Sequence, residues 1–178
     1  MRRYIIRGLI DGSLSTLGIV IGAQSASIGV IIAAGLGGGL ANGLSNILGA
    51  LTAEKTETEL KISEIQKAMV IGSELRNTYF YKRMQMLTIL SGIYDGIATI
   101  IGSIVPLIPF LFSLIIKFDK TIALTLSLFL TITLLFLIGC YLGIVSRRNL
   151  IISGVKMVIA GLLTAFLCIA IEQALRNC

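Results

Sequence analysis

Histidine and tryptophan are absent from this 178-residue chain, and it holds only two prolines and three cysteines. Without histidine there is no imidazole to act as a base near neutral pH, no catalytic Ser–His pair and no imidazole metal ligand. Cys140, Cys168 and Cys178 are too far apart for a Cys-x-x-Cys pair, and two of them lie in apolar runs. They read as small packing residues and say little about redox compartment. Charge is also scarce, at 13% of residues, where soluble domains carry roughly 25%. That shortage excludes a soluble globular domain, a disordered chain and a coiled coil. What is present is 56% hydrophobic residues and a mean hydropathy of +0.96. Together these describe an integral membrane protein.

The apolar stretches cover 8–23, 29–51, 86–116, 121–145 and 151–175. A spanning helix needs about 20 residues, so the expected architecture is all-α with five transmembrane helices. Residues 1–51 hold helices 1 and 2, residues 52–85 form a polar helical segment, and residues 86–178 hold helices 3 to 5. With five spans, one side collects Arg2, Arg3, Arg7, the six cations of 52–85, Arg147, Arg148 and Lys156, which is twelve of the fifteen. The other side keeps Lys117, Lys120 and Arg176. The bias predicts a cytoplasmic N-terminus, an outside C-terminus and a cytoplasmic extension between helices 2 and 3. All five tyrosines fall near the predicted inner ends, where they can anchor at the interface. Arg2-Arg3, an apolar stretch and Ala23-Gln24-Ser25 resemble a signal peptide, but Asp11 in the middle argues against cleavage.

Asp11 and Asp95 lie in or near the first and third spans. Asp11, Ser15, Gly18, Gly22 and Ser25 share one helix face, as do Asp95, Thr99, Gly102, Pro106 and Pro109. Asn42, Ser45, Asn46 and Gly49 share a face of the second helix. Residues 8–22 match 92–106 at an offset of 84, which pairs Asp11 with Asp95 and Ser15 with Thr99. An acid in a bilayer is costly and tends to face protein or water, often along an ion path. Asp11, Ser15, Asn42, Ser45, Asn46 and Asp95 are therefore the candidate pathway residues. The plainer alternatives are an interfacial Asp11 paired with Arg7, and small residues that only pack helices. Pro106 and Pro109 each remove a backbone donor and predict a kink in the third span.

The polar segment carries Glu54, Glu57, Glu59, Glu64 and Glu74. Glu57 and Lys61 form a stabilising i,i+4 pair. The segment reads either as a solvated, salt-bridged helix or as a carboxylate cluster gathering divalent cations, with Asp11, Glu54, Glu57, Glu59 and Glu64 as candidate metal ligands. Oxygen donors without histidine or a nearby cysteine suit Fe2+, Mn2+, Mg2+ or Ca2+.

Arg7-Gly8-Leu9-Ile10-Asp11-Gly12 with Ser15-Thr16-Leu17-Gly18 resembles the first helix of the vacuolar iron transporter family. Ala41-Asn42-Gly43-Leu44-Ser45 and Lys55-Thr56-Glu57-Thr58-Glu59 resemble its second helix and the start of its acidic helix. Gly102-Ser103-Ile104-Val105-Pro106-Leu107-Ile108-Pro109-Phe110 resembles its third. The resemblance implies a homodimer that moves Fe2+ or Mn2+ out of the cytosol by proton antiport. It assigns a metal-and-proton role to Asp11 and metal capture to Glu57 and Glu59. Asn46 stands where the family usually has Met, and Ala50 where it has Glu.

The expected function is thus a divalent metal transporter in a prokaryotic cytoplasmic membrane. Its partners would be lipid, divalent cations, protons and a second copy of the chain, with no nucleic acid. No cofactor is expected to be permanently bound; Fe2+ or Mn2+ would be the transported ion. A transporter of another solute and a non-transporting scaffold are the competing readings. A membrane-embedded enzyme fits least, for want of histidine and of a convincing nucleophile–base pair.

Overall fold

The computed structural model describes residues 2–69, 79–117, 119–147 and 149–176. Every element in it is helical: α1 Arg2–Gly22, α2 Ile28–Met69, α3 Tyr79–Ile104, a 3-10 turn Val105–Leu107, α4 Ile108–Ile116, α5 Lys120–Val145 and α6 Leu150–Arg176. Among the described residues five helical segments are long and apolar enough to cross a membrane. One of them is the composite α3–turn–α4, counted over Lys82–Ile116. The chain is a multi-pass integral membrane protein.

Several boundaries follow from local chemistry. α1 starts at Arg2, so the first span gains a charged turn and reaches 21 residues. The 42 residues of α2 extend to about 63 Å at 1.5 Å per residue. The hydrocarbon core is about 30 Å thick. The apolar first part of α2 suffices to cross it, and the polar part from Thr52 projects beyond. Pro106 and Pro109 sit in the first turns of the 3-10 turn and of α4, where a missing N–H costs least. The Ser127 hydroxyl of α5 donates to the Pro106 carbonyl at 2.6 Å and ties the turn to the bundle. α4 is capped by Lys117 in the left-handed region at φ 54°, and Arg147, two residues past the end of α5, adopts the same region at φ 51°. A positive side chain there complements the exposed carbonyls of the helix C-terminus.

Glycine sets the register of the first three helices. A Cβ on Gly8 would meet the backbone of Asp95 and Thr99, and one on Gly12 the backbone of Thr99 and Ser103. α1 and α3 therefore run parallel, in backbone contact. α2 is antiparallel to α3: Gly43 faces Gly96 and Ile100, Gly39 faces Ser103, and Gly35 faces Leu107. α5 and α6 form a second antiparallel pair through Gly139 and Gly154, and Gly18 brings α1 against Cys168 of α6. The buried apolar core lies toward the proline end. Val20, Ile31, Ile32, Leu107, Phe110 and Ala123 pack together there.

Candidate functional site

Asp11 sits half-buried where α1, α2 and α3 meet. Its Oδ2 accepts from Asn46 Nδ2 at 2.6 Å and from Asn42 Nδ2 at 3.2 Å. Asn42 also donates to Ser15 Oγ at 3.0 Å, and Asn46 to Thr99 Oγ1 at 2.9 Å. The two asparagines stand four residues apart on α2 and so share one face. Each bridges Asp11 to one hydroxyl, Ser15 on α1 or Thr99 on α3. Those hydroxyls in turn donate to backbone carbonyls, Ser15 to Gly12 at 3.2 Å and Thr99 to Asp95 at 2.9 Å. Among the described residues the donors to Asp11 are thus neutral amides, and no cation pairs with it. Among the described residues neither asparagine side-chain oxygen has a protein partner. A carboxylate and neutral oxygens form a donor set suited to a hard cation.

The second acid is in a different situation. The Asp95 side chain is 0% exposed and is held by Arg7, through a close contact of the guanidinium with Oδ2 and a 3.3 Å bond from Nε to Oδ1. The Arg7 side chain is 59% exposed, and its guanidinium lies 5.6 Å from the centre of the Tyr4 ring. The alternative that pairs Arg7 with Asp11 is therefore corrected. The α1–α3 contact sets Asp95, not Asp11, level with Arg7.

The remaining sequence candidates are spread out. Ser45 is exposed on α2, turned away from the asparagine face. Ala50 is only 7% exposed. It lies against α3, where a Cβ on Gly92 would stand 3.3 Å from its own. On the polar extension Glu57 accepts from Lys61 at 2.7 Å. That hydrogen bond and the lysine charge hold its carboxyl below the usual range and raise the lysine. Glu59 lines a cavity of about 330 Å³ with Leu51, Lys55, Gln85, Thr88 and Ile89. Glu64 is exposed. The side chain of Glu54 and all of Glu74 lie outside the described residues. Among those described, no three acids or cysteines form a group that could hold a metal.

Two features were not among the candidate site residues of the sequence. Thr99 completes the Asp11 cluster, and its signal was the i,i+4 spacing from Asp95. Glu172, near the end of α6, accepts from Gln24 Nε2 and Ser25 Oγ, both at 2.6 Å. Lys120 Nζ donates to the Ala26 carbonyl at 2.8 Å. The α1–α2 turn is thus clasped by α5 and α6. Nothing local in the sequence marks Glu172, because its partners lie 147 and 148 residues away.

A family model described as the VIT family matches residues 67–173, more than half of the chain. An uncharacterized protein of Methanocaldococcus jannaschii is 50% identical over 174 residues, which cover 97% of this chain and 88% of that protein.

Proposed function

The chain belongs to the VIT family, and on that premise we propose that it moves divalent metal ions, Fe2+ or Mn2+, out of the cytosol in exchange for protons. The observation that carries this reading is Asp11 itself. It is a half-buried carboxylate in a membrane helix, held by neutral donors and without a cationic partner among the described residues. An unpaired negative charge at such depth is costly. A metal ion or a proton relieves it equally well, and competition of the two for one carboxylate is the simplest basis for exchange. Asp95 does not compete, because Arg7 already neutralises it.

In this reading the N-terminus is cytoplasmic, as the distribution of cations favours. The polar extension of α2 gathers ions at its glutamates. The ions pass to Asp11, Asn42, Asn46 and Ser15 and leave toward the proline turn, where the packed Val20–Leu107–Phe110 core keeps the outer side shut in this conformation. The protein works as a homodimer in a prokaryotic cytoplasmic membrane.

The test is Fe2+ and Mn2+ flux into proteoliposomes under an imposed pH gradient, for wild type and Asp11→Asn. Flux that follows the gradient and is lost in the variant is expected. Flux that persists in Asp11→Asn would remove this carboxylate from the mechanism.

A further inference from the structure

We propose that the α5–α6 turn holds the phosphate of an anionic phospholipid headgroup, with Lys156 as its counter-charge. A cavity of about 600 Å³ opens there, lined on its polar side by Ser146, Asn149, Ser153 and Lys156. Leu142 and Met157 form part of its apolar wall. Lys156 is the one charged residue between Leu150 and Ile171. It lies six residues into α6, about 9 Å along the helix axis. Among the described residues no carboxylate pairs with it.

A lysine at that depth reaches for the membrane surface with its apolar stem in lipid. Here its neighbours offer further donors. The hydroxyls of Ser146 and Ser153 and the side-chain amide of Asn149 make no hydrogen bond within the described protein. The cavity also lies at the N-terminus of the 27-residue α6, whose free N–H groups and dipole favour an anion. One cation, three neutral donors and a helix start together suit a phosphate group.

The lipid is favoured as its source because of what surrounds the cavity. Ile151, Ile152, Val155 and Ile159 are 71%, 53%, 43% and 56% exposed on the same stretch of α6. That apolar surface is where acyl chains lie, and the apolar cavity wall continues it. A free phosphate would use the polar groups and leave this surface unused.

The experiment uses the full chain purified in detergent, with bound lipid counted by native mass spectrometry and stability followed by thermal melting. Phosphatidylglycerol, phosphatidylcholine and inorganic phosphate are the probes. Phosphatidylglycerol is expected to bind and raise the melting temperature more than phosphatidylcholine, with inorganic phosphate doing neither. Lys156→Gln should weaken its binding about fivefold, the ratio that corresponds to one lysine at an anionic surface, and Lys156→Arg should retain it. Equal binding to wild type and Lys156→Gln overturns the site. Inorganic phosphate that matches or displaces the lipid overturns the lipid as occupant. Ser146→Ala lies in the exposed turn, outside both helices, and gives a second reading should Lys156→Gln fail to fold. Its phosphatidylglycerol binding should fall, and unchanged binding again overturns the proposal.

Discussion

Arg7 of α1 reaches across to Asp95 of α3, leaving Asp11, one turn along its own helix, without a cation among the described residues. Two acids that occupy matching positions in segments 8–22 and 92–106 thus have opposite electrostatic fates. Asp95 is sealed in, fully buried and neutralised. Asp11 is half-buried and oriented by two amides. One serves the joint between two parallel helices, and the other is free to meet a cation.

Breaking the joint should cost stability. Removing one partner of a buried ion pair costs about 3–5 kcal/mol, because it strands the other charge. Solvent reaches more than half of the Arg7 side chain, so a smaller loss is expected for Arg7→Gln, about 1–3 kcal/mol. Asp95→Asn in the Arg7→Gln background should recover part of it, since no charge is then left buried. Thermal melts of the two single variants and the double variant close the cycle. Strictly additive losses would mean that the two residues do not act as a pair.

The α1–α3 contact should be intolerant of any side chain. A methyl group on Gly12 would run into the Thr99 carbonyl, and backbone cannot step aside as a rotamer can. Overpacking typically costs about 1–3 kcal/mol and sometimes more, so Gly12→Ala should lower the melting temperature sharply or prevent folding. Gly37, with nothing within 4 Å of an added methyl group, is the control. Gly37→Ala should be neutral or gain up to about 1 kcal/mol from helix propensity. Equal effects at the two positions would mean that α1 and α3 are not in backbone contact.

Much of this architecture was legible in the sequence, because it follows from lengths and periods. Five apolar runs gave five spanning segments, and two prolines gave the turn at Val105–Leu107. The i,i+4 spacing put Asp11 with Ser15, and Asn42 with Asn46. What the sequence did not reveal is depth. Strict alignment of the repeat would set Asp11 level with Asp95. The glycine contacts instead shift α3 by about a turn, so that Gly8 faces Asp95 and Gly12 faces Thr99. That shift, set by which backbones can touch, decides that Arg7 takes Asp95 and that Thr99 joins Asn46. Ser45 was misleading for a related reason. It lies three residues from Asn42, but on the far side from Asn46, and so turns outward.

Thr16 offers a prediction of opposite sign. Its hydroxyl is fully buried and makes no hydrogen bond within the described protein. Thr99, Thr131 and Thr164 each donate to the carbonyl four residues back. The equivalent acceptor for Thr16, the Gly12 carbonyl, is taken by Ser15. A buried polar group without a partner costs about 1–3 kcal/mol, and valine has nearly the same shape as threonine without the hydroxyl. Thr16→Val should therefore raise the melting temperature, by the equivalent of about 1 kcal/mol. A fall would show that the hydroxyl is satisfied, for instance by an internal water.

Asn46 links stability to ion choice. One amide nitrogen serves both Asp11 and Thr99, so replacing it removes two hydrogen bonds at once. Asn46→Met should cost about 1–3 kcal/mol, at roughly 0.5–1.5 for each neutral bond. It also exchanges a hard amide oxygen for a soft thioether beside Asp11. Hard oxygen donors suit Mn2+, and softer donors lean toward the later metals of the first row. In the proteoliposome assay the ratio of Fe2+ to Mn2+ flux should therefore rise in Asn46→Met, even if both fluxes fall. An unchanged ratio would place the ion's path away from Asn46 and leave its amide with a purely structural task, bracing Asp11 against Thr99.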